Sequence, residues 1–437
     1  MKVLWVCNLI PKIVAGTLGL ETIPKEGWTE GMLSAIRDTG RLGRDLEIVI
    51  AAPGDRSVAG KSGNIEDVPG CGYYIFYEDT RRPEEYDESM ERSVAAMLSD
   101  ISPDMVHVFG TEFAHTLAVA RMMGEDASRR LMISVQGICT KLAEKYDAFI
   151  PESVLSKKTF RDGIKKDGIS DQKEKFIKRG IHERESLKLA GYIAGRTSFD
   201  REFASSVNPG AGYIHAGEVL RPDFYNTQEI RKRTGHRIFV SQADYPIKGF
   251  HILLEALRNG KDGERLPDDT LIYVSGQNIT KYGSLSQKIK ISGYGKYLRD
   301  LSKKNGLEDR VHFLGRIDAA KTVEMLNSSD LFVCASVCEN SSNSLGEAML
   351  AGIPVVSTNV GGLPDMMNAS EGILCDIDNA KDIEEAAAAL REAILKAFDD
   401  TDGAYDRCLS AREHAKKSYS RENNAETLIR TYFDIVK

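Results

Sequence analysis

The chain has 437 residues, of which 42% are apolar and 28% are charged, and its formal net charge is −7 at pH 7. Because a single hydrophobic core stops growing at roughly 250–300 residues, this length predicts two domains. The composition is typical of a soluble globular protein, and the mild acidity argues against nucleic acid as a partner, since nucleic-acid binding depends on a basic surface field.

Short apolar runs rich in β-branched residues alternate with helix-length stretches along the chain. This alternation is typical of an α/β fold in which helices cover both faces of a parallel sheet. Six strands are predicted in the first half of the chain, at Lys2–Cys7, Leu46–Ala52, Tyr73–Tyr77, Met105–Phe109, Leu131–Val135 and Tyr192–Gly195. Six more are predicted in the second half, at Arg237–Ser241, Leu271–Ser275, Val311–Leu314, Leu331–Ala335, Pro354–Ser357 and Gly372–Leu374. The two sets predict two doubly wound, Rossmann-like domains.

The boundary between these domains is predicted from composition. The stretch Asn208–Tyr213 contains one proline and two glycines, which are typical of a linker. The chain from there to Pro222 is therefore predicted to connect the two domains.

The cysteines and the N-terminus indicate the cellular compartment. The seven cysteines are scattered, and most lie in apolar runs, as reduced cytosolic thiols do. The apolar run Lys2–Cys7 is too short for a signal-peptide core or a membrane span. We therefore expect a cytoplasmic protein.

Two motifs resemble metal sites and are incomplete. Cys334 and Cys338 form the only close cysteine pair, but no second Cys or His pair follows at zinc spacing. His182-Glu183 begins like a zinc-protease helix, yet Ser186 stands where the second histidine is required. The first pair is predicted not to bind metal, and the second is predicted to lie on the surface.

Residues 157–188, named here the basic segment, contain eleven Lys or Arg and six Asp or Glu, a local charge of +5 against −12 for the rest of the chain. The simpler interpretation is a solvated helical insertion. The alternative is a surface that faces an anionic membrane or a diphosphate-bearing acceptor.

A polar loop follows the predicted strand Leu331–Ala335 and precedes a helix predicted to start at Asn343-Ser344. Ligands of open α/β sheets bind beyond the carboxyl ends of the strands, which is where Glu339 falls. The amides of the helix start suit a phosphate. Glu347, expected in the first helical turn, would reach over the same crevice. The loop thus offers one carboxylate for sugar hydroxyls and a second for ribose, although each glutamate alone could merely favour the helix dipole.

Five elements in register carry a resemblance to a known family: Lys248-Gly249, Glu339-x7-Glu347, Glu347-Ala-Met, Gly352-x-Pro-Val-Val and Gly361-Gly362. The chain resembles the retaining GT-B glycosyltransferases of family GT4 (glycosyl transferases group 1), most strongly from Ile238 to Gly362. The resemblance implies two Rossmann-like domains facing a cleft, with the nucleotide-sugar donor bound by the C-terminal domain.

The resemblance also implies site residues. Glu339 and Lys248 are the implied catalytic residues, and the implied donor-binding residues are Gln242, Lys248, Gly315, Arg316, Asn343, Ser344, Leu345 and Glu347. Gln242 stands where the family has an arginine on the donor diphosphate. Arg316 is expected in the loop that the family uses near the base.

In the N-terminal half the resemblance is looser. Gln136 stands where family members often have a histidine near the sugar. His107 and Glu112, expected at a strand end, are the other acceptor-side candidates. The resemblance implies an acceptor-side domain at residues 1–215, completed by a C-terminal helix at 419–437, and a donor-binding domain at 216–418.

The implied function is retaining transfer of a hexose from a nucleoside-diphosphate sugar, such as a UDP-sugar, to a glycan or lipid-linked acceptor in surface polysaccharide synthesis. No metal or other cofactor is expected, because no metal-binding carboxylate pair is seen at the diphosphate. Two alternatives remain: a GT-B sugar-nucleotide epimerase, and a catalytically silent nucleotide-sugar-binding subunit, which the two glutamines favour. The enzyme is expected in the cytoplasm, with peripheral contact at the inner face of the membrane through the basic segment.

Overall fold

The computed structural model describes residues 1–20, 27–226, 228–258 and 265–437. Its contacts divide the chain into two compact units, each described by itself. The N-terminal unit comprises Met1–Thr140, Lys175–Arg221 and Ser418–Lys437. The C-terminal unit comprises Lys141–Glu174 and Pro222–Lys417.

The N-terminal unit is built on an eight-stranded sheet within the described residues. Its strands are β1 (Lys2–Val6), β2 (Glu47–Gly54), β3 (Ser62–Asn64), β4 (Cys71–Tyr77), β5 (Met105–Phe109), β6 (Leu131–Ser134), β7 (Tyr192–Gly195) and β8 (Gly212–His215). They lie in the order β3-β4-β2-β1-β5-β6-β7-β8, and all neighbours are parallel except β3 and β4. The apolar side chains of β1, β5 and β6 are buried in the core of this unit because helices cover both faces of the sheet.

In its described residues, the C-terminal unit is built on a six-stranded sheet whose neighbouring strands are all parallel. Its strands are β9 (Arg237–Val240), β10 (Leu271–Val274), β11 (Val311–Phe313), β12 (Leu331–Cys334), β13 (Val355–Thr358) and β14 (Ile373–Cys375). They lie in the order β11-β10-β9-β12-β13-β14. The chain therefore reverses its direction of winding between β9 and β12, and such a switch point leaves a crevice at the carboxyl ends of the two strands.

Helices connect these strands. In chain order they are α1 (Lys12–Leu18), α2 (Gly27–Asp38), α3 (Glu88–Ile101), α4 (His115–Met123), α5 (Ala127–Arg130), α6 (Cys139–Lys145), α7 (Glu152–Leu155), α8 (Phe160–Lys165), α9 (Ile169–Leu189), α10 (Ser198–Val207), α11 (Phe250–Ala256), α12 (Leu285–Lys290), α13 (Gly293–Lys304), α14 (Ala319–Ser328), α15 (Asn343–Ala351), α16 (Leu363–Met366), α17 (Ile383–Asp399), α18 (Thr401–Ser418) and α19 (Arg421–Val436). Short 3-10 helices lie at Gly124–Asp126, Pro222–Tyr225 and Pro246–Lys248. None of the helices in the described part of the chain is both long and apolar enough to cross a membrane.

The fold class predicted from the sequence is confirmed, since both units are parallel-sheet α/β structures. All twelve predicted strands are present, with ends that differ by at most two residues. Two strands were not predicted. The prediction that the chain from Asn208 to Pro222 is only a linker is wrong at β8, which pairs with β7 at the edge of the sheet and, being only half-buried, lacks an apolar run.

The two units differ from the predicted domain ranges at three places. Lys141–Glu174 packs with the C-terminal unit, and residues 216–221 and Ser418 belong to the N-terminal unit. The first difference has a visible cause in His251, whose Nε2 contacts the Ala148 carbonyl at 3.1 Å, and in the Asp162 carboxylate, which accepts from the Gly293 amide at 2.8 Å. Helix α19 belongs to the N-terminal unit, where Tyr432 accepts a hydrogen bond from the Trp5 indole at 2.9 Å.

Candidate active site

The central feature of the C-terminal unit is an ion pair at the switch point of its sheet. Lys248 ends the 3-10 helix in the loop that follows β9, and Glu339 lies in the loop that follows β12. The Lys248 ammonium donates to Glu339 Oε2 at 2.7 Å. Ser336 Oγ donates to the same oxygen at 3.1 Å. Both charged side chains are partly buried, and both lie where ligands of such sheets bind.

The electrostatics of this pair keep Lys248 charged. Burial by itself lowers the pKa of Lys248, but the attraction of the Glu339 carboxylate and the hydrogen bond between them outweigh it and leave the pKa above its usual value. A protonated ammonium that is already fixed in place is suited to stabilise negative charge on a ligand.

The backbone around this pair is tightly packed. The Val337 amide donates to the Ile247 carbonyl at 2.9 Å, which ties the two loops together. Gly249 has φ +64°, and a Cβ built there would lie 1.7 Å from the Ala335 carbonyl oxygen. Only glycine permits this approach, so the position of Lys248 relative to the end of β12 depends on Gly249.

The Gly-Gly element packs against the other side of the Glu339 loop. The Gly362 amide donates to the Glu339 carbonyl at 3.0 Å. A Cβ on Gly361, which has φ +56°, would lie 2.0 Å from the same oxygen. This close packing explains why two glycines, Gly361 and Gly362, follow β13. It also holds the Glu339 backbone in place.

The start of helix α15 borders the same loop. Its cap is Ser342, and the helix begins at Asn343, at the predicted start. Ser344 Oγ lies 3.1 Å from Ser241 Oγ, which places the helix start beside the end of β9. The Leu345 amide donates to the Ser342 carbonyl at 3.1 Å, so this amide is already used in the cap. Asn343 and Ser344 are the first two residues of the helix, the place where backbone amides suit a phosphate.

Glu347 is the fifth residue of α15 and lies in the second turn. The prediction of a first-turn position is wrong, because the helix begins at Asn343. The residue is 7% exposed, so its side chain is largely enclosed by the C-terminal unit.

Three further predicted donor residues lie in loops of the same unit. Gln242 follows β9 by two residues and is partly exposed. Gly315 follows β11, and its carbonyl accepts from the Gly276 amide at 2.8 Å, which pairs the loops after β10 and β11. Arg316 is exposed beside it. A Cβ on Gly315 would meet nothing within 4 Å, so the loop is open on this side.

The cysteines near this site are buried thiols. Burial raises the pKa of Cys334, and it raises the pKa of Cys338 to about 12. Within the part of the chain that the structure describes, no group of three or more His, Cys, Asp or Glu side chains is arranged to hold a metal ion.

In the N-terminal unit, Glu112 joins two loops. Its Oε2 accepts from the Asn8 amide group at 3.0 Å, and its Oε1 accepts from the Gly137 backbone amide at 2.8 Å. Glu112 thereby holds the loop that contains Gln136, next to the carboxyl ends of β1, β5 and β6.

The prediction that His107 lies at a strand end is wrong. His107 is the middle residue of β5 and is 1% exposed. Its Nδ1 lies 2.6 Å from the Tyr432 hydroxyl, and its Nε2 lies 2.7 Å from Ser134 Oγ. Burial lowers the pKa of His107 well below its usual value. The imidazole is thus a neutral bridge between β6 and α19, and we assign it no contact with substrate.

The prediction that Glu183 lies on the surface is also wrong, because this residue is fully buried in α9. Its carboxylate accepts hydrogen bonds from Thr111 Oγ1, from the Cys139 amide, and from both the amide and the hydroxyl of Thr140, at 2.7–3.0 Å. Burial raises the pKa of Glu183 to about 7, against the opposing effect of these bonds. Glu112 and Glu183 together fix the segment 136–140, a role that neither residue's place in the sequence indicates.

Comparison with known proteins matches part of the C-terminal unit to a family. Residues 226–397 match the model of the family described as glycosyl transferases group 1. The chain is 36% identical over 91 residues to N-acetyl-alpha-D-glucosaminyl L-malate synthase of Bacillus anthracis, a match that covers 21% of this chain and 23% of that protein. It is 27% identical over 228 residues to D-inositol 3-phosphate glycosyltransferase of Mycobacterium marinum, which covers 50% of this chain and 44% of that protein. These relatives are thus matched over less than half of their own length.

Solved structures extend the similarity to the whole chain at the level of the fold. Sucrose-phosphate synthase of Thermosynechococcus elongatus superposes with a TM-score of 0.68 at 14% identity, covering 100% of this chain and 99% of that chain. HepE of Anabaena, in complex with UDP, superposes with a TM-score of 0.63 at 15% identity, covering 99% and 100%. The recognition made from the five sequence elements is therefore confirmed: residues 226–397 match the glycosyl transferases group 1 family, and the whole chain has the predicted GT-B fold.

Proposed function

We propose that the protein is a retaining glycosyltransferase that moves a hexose from a nucleoside-diphosphate sugar to a glycan or lipid-linked acceptor in surface polysaccharide synthesis. The observation that carries the proposal is the contact of Lys248 with Glu339 at the switch point between β9 and β12. It unites a fixed cation for the diphosphate with a carboxylate for the sugar at the place where this type of sheet binds nucleotides.

The roles of the residues follow from their chemistry. The ammonium of Lys248 carries three N–H donors, so one can stay on Glu339 while the others reach the diphosphate. Charge that develops on the leaving diphosphate is then stabilised by a group that needs no reorganisation. The amides of residues 343 and 344 would bind a phosphate oxygen, and Glu347 would accept from ribose hydroxyls. Gln242 would donate a hydrogen bond to the diphosphate without neutralising it.

Uridine is the first base to test. HepE of Anabaena, which shares the fold, has been solved with UDP, with UDP and glucose, and with UDP-glucose. For this chain a UDP-sugar is therefore the leading donor candidate.

The proposal is tested by a thermal-shift screen followed by an assay of donor turnover. A nucleoside diphosphate present at 100 times its dissociation constant should raise the free energy of unfolding by about 2.7 kcal/mol. The matching sugar nucleotide should then be hydrolysed slowly without acceptor, and we expect this turnover to persist in EDTA because Lys248 and helix amides hold the diphosphate. A screen in which no nucleoside diphosphate raises the melting temperature would refute the proposal.

Glu347 and Glu339 should differ in which part of the donor they bind. Glu347→Ala is expected to weaken binding of the free nucleoside diphosphate by roughly 10–100-fold, since a hydrogen bond to a charged acceptor contributes about 1.5–3 kcal/mol. Glu339→Gln should spare the free diphosphate and weaken the sugar nucleotide. Calorimetry with both ligands checks the division, and equal losses for both ligands in both variants would contradict it.

The second candidate is a catalytically silent nucleotide-sugar-binding subunit. The observation that favours it is the presence of Gln242 and Gln136 where the family resemblance leads one to expect ionisable groups. The same turnover assay separates the two candidates, because a transferase hydrolyses its donor slowly whereas a silent subunit binds the donor without consuming it.

A further inference from the structure

Two short helices of the C-terminal unit expose large apolar side chains to solvent. On α8, Phe160 and Ile164 are each 67% exposed; on α12, Leu285 is 74% and Ile289 45% exposed. Within each helix the two residues are four positions apart, so they lie on one helical face. Soluble proteins rarely expose adjacent apolar side chains of this size, so these residues indicate a surface that binds a membrane or another protein.

The two helices are held side by side. Thr159 Oγ1, at the cap of α8, donates to the Ile291 carbonyl at the end of α12, at 2.9 Å. Asp162 is buried, and its carboxylate accepts from the Gly293 amide at the start of α13, at 2.8 Å. These bonds hold α8 beside α12, and the four exposed apolar side chains of the two helices, Phe160, Ile164, Leu285 and Ile289, are named here the platform.

Exposed lysines accompany the platform. On the two helices and in the chain next to them they are Lys157, Lys165, Lys166, Lys281, Lys288 and Lys290. The segment 281–290 contains three lysines and no acidic residue, and in the segment 157–168 one of the two acidic residues is buried and the other is paired with Arg161 at 2.8 Å. The platform therefore combines exposed apolar side chains with a surplus of positive charge.

The predicted domain ranges assign the whole basic segment to the N-terminal domain, and this assignment is wrong for residues 157–174, which belong to the C-terminal unit. The rest of the basic segment also differs from the platform in its charge. Residues 175–188 belong to the N-terminal unit, and there Lys178 pairs with Glu85 at 3.1 Å and Arg179 approaches Glu84 at 4.0 Å. This half also exposes an apolar pair four residues apart, Ile177 and Ile181, but its cations are partly neutralised. It serves as a natural comparison.

We propose that the platform on α8 and α12 docks the protein on an anionic lipid bilayer. Apolar side chains on a helix surface enter the boundary between head groups and acyl chains, and surrounding lysines are attracted to anionic head groups. A lipid surface fits better than a protein partner because the exposed lysines of segments 157–168 and 281–290 present one sign of charge without a matching acidic pattern. The proposal does not depend on the proposed transferase activity, since binding to lipid can be measured without any sugar donor.

The test is co-sedimentation with phosphatidylcholine vesicles that contain about a third phosphatidylglycerol, at low and high salt. The unaltered chain should pellet at low salt and be released at high salt, because the attraction decays within a Debye length, ~8 Å at physiological ionic strength. Phe160→Ser with Leu285→Ser should lower partitioning at least about tenfold, because two exposed apolar side chains lose their contact with lipid. Lys165→Glu with Lys166→Glu should lower it at least about 25-fold, at about fivefold for each lysine lost.

Each variant has a matched control. Ile177→Ser with Ile181→Ser removes the corresponding apolar pair on α9, and Lys303→Glu with Lys304→Glu makes the same charge change at the far end of α13. Both controls should bind vesicles nearly as well as the unaltered chain. Unchanged melting temperatures establish that the substituted proteins are folded.

Three results would overturn the proposal. The first is failure of the unaltered chain to pellet with the anionic vesicles at low salt. The second is loss of binding in the controls equal to that in the platform variants. The third is self-association in light scattering that Phe160→Ser with Leu285→Ser abolishes, in the absence of vesicle binding, which would assign the platform to a contact between copies of the chain.

Discussion

Lys248→Ala should lower kcat/KM for transfer at least about 100-fold, since removing one fixed donor from developing negative charge typically costs about 10²–10³ in rate. The substitution also leaves the carboxylate of Glu339 without its cation, so this carboxylate would repel the donor diphosphate. The melting temperature should change little, because Lys248 ends a 3-10 turn at the surface of a crevice and its side chain is only partly buried. Steady-state kinetics with the donor identified by thermal shift provides the measurement.

A second lysine of the C-terminal unit gives a matched control for this substitution. Lys145 pairs with Asp378 at 3.1 Å, and both side chains are well exposed. Exposed pairs contribute only about 0–1 kcal/mol, so Lys145→Ala should leave kcat/KM unchanged. If Lys248→Ala behaved like Lys145→Ala, the diphosphate would have to be held by other residues.

Gly249→Ala should abolish activity and lower the free energy of unfolding by at least about 3 kcal/mol. A loss of this size requires a specific steric cause in the folded state. The left-handed backbone conformation alone costs a non-glycine residue about 1–2 kcal/mol. The rest comes from the Ala335 carbonyl, which a Cβ at this position would approach to 1.7 Å. To relieve the contact, the end of β12 must move away from Lys248, which separates Lys248 from Glu339.

Gly306 is the appropriate control, because it has nearly the same backbone conformation in open surroundings. Its φ is +66°, against +64° for Gly249, and a Cβ there would meet nothing within 4 Å. Gly306→Ala should therefore show only the backbone cost of about 1–2 kcal/mol and retain activity. Denaturant unfolding of both variants makes the comparison, and equal losses of stability would show that the contact with Ala335 does not matter.

The fold was predictable from the sequence wherever a strand is buried on both faces. Such strands are continuous apolar runs, and their period and spacing identify a parallel sheet. The edge strands β3 and β8 have no such run: Ser62–Asn64 is fully exposed, and Gly212–His215 is only half-buried. Their pairing is determined by neighbouring strands, so local sequence does not reveal it.

The candidate site was predictable only in part. Two motifs identified the two loops at the switch point, namely the spacing of Glu339 and Glu347 and the Lys248-Gly249 pair. Each motif indicates which residues follow which strand. The sequence did not show that Ser336 contacts Glu339, since this depends on the backbone path of the loop. Nor did it show that His107 is enclosed by Tyr432, which lies 325 residues away in the chain.

The proposed glycosyltransferase function requires that a nucleoside diphosphate binds beside Lys248 and Glu339. Its most direct test is a calorimetric titration of the unaltered chain, Lys248→Ala and Lys145→Ala with the nucleoside diphosphate that gives the largest thermal shift. We expect one-to-one binding by the unaltered chain, the same affinity for Lys145→Ala, and at least about tenfold weaker binding for Lys248→Ala, since a charge-assisted hydrogen bond contributes about 1.5–3 kcal/mol. Full affinity in Lys248→Ala, or no binding by the unaltered chain, would contradict the account.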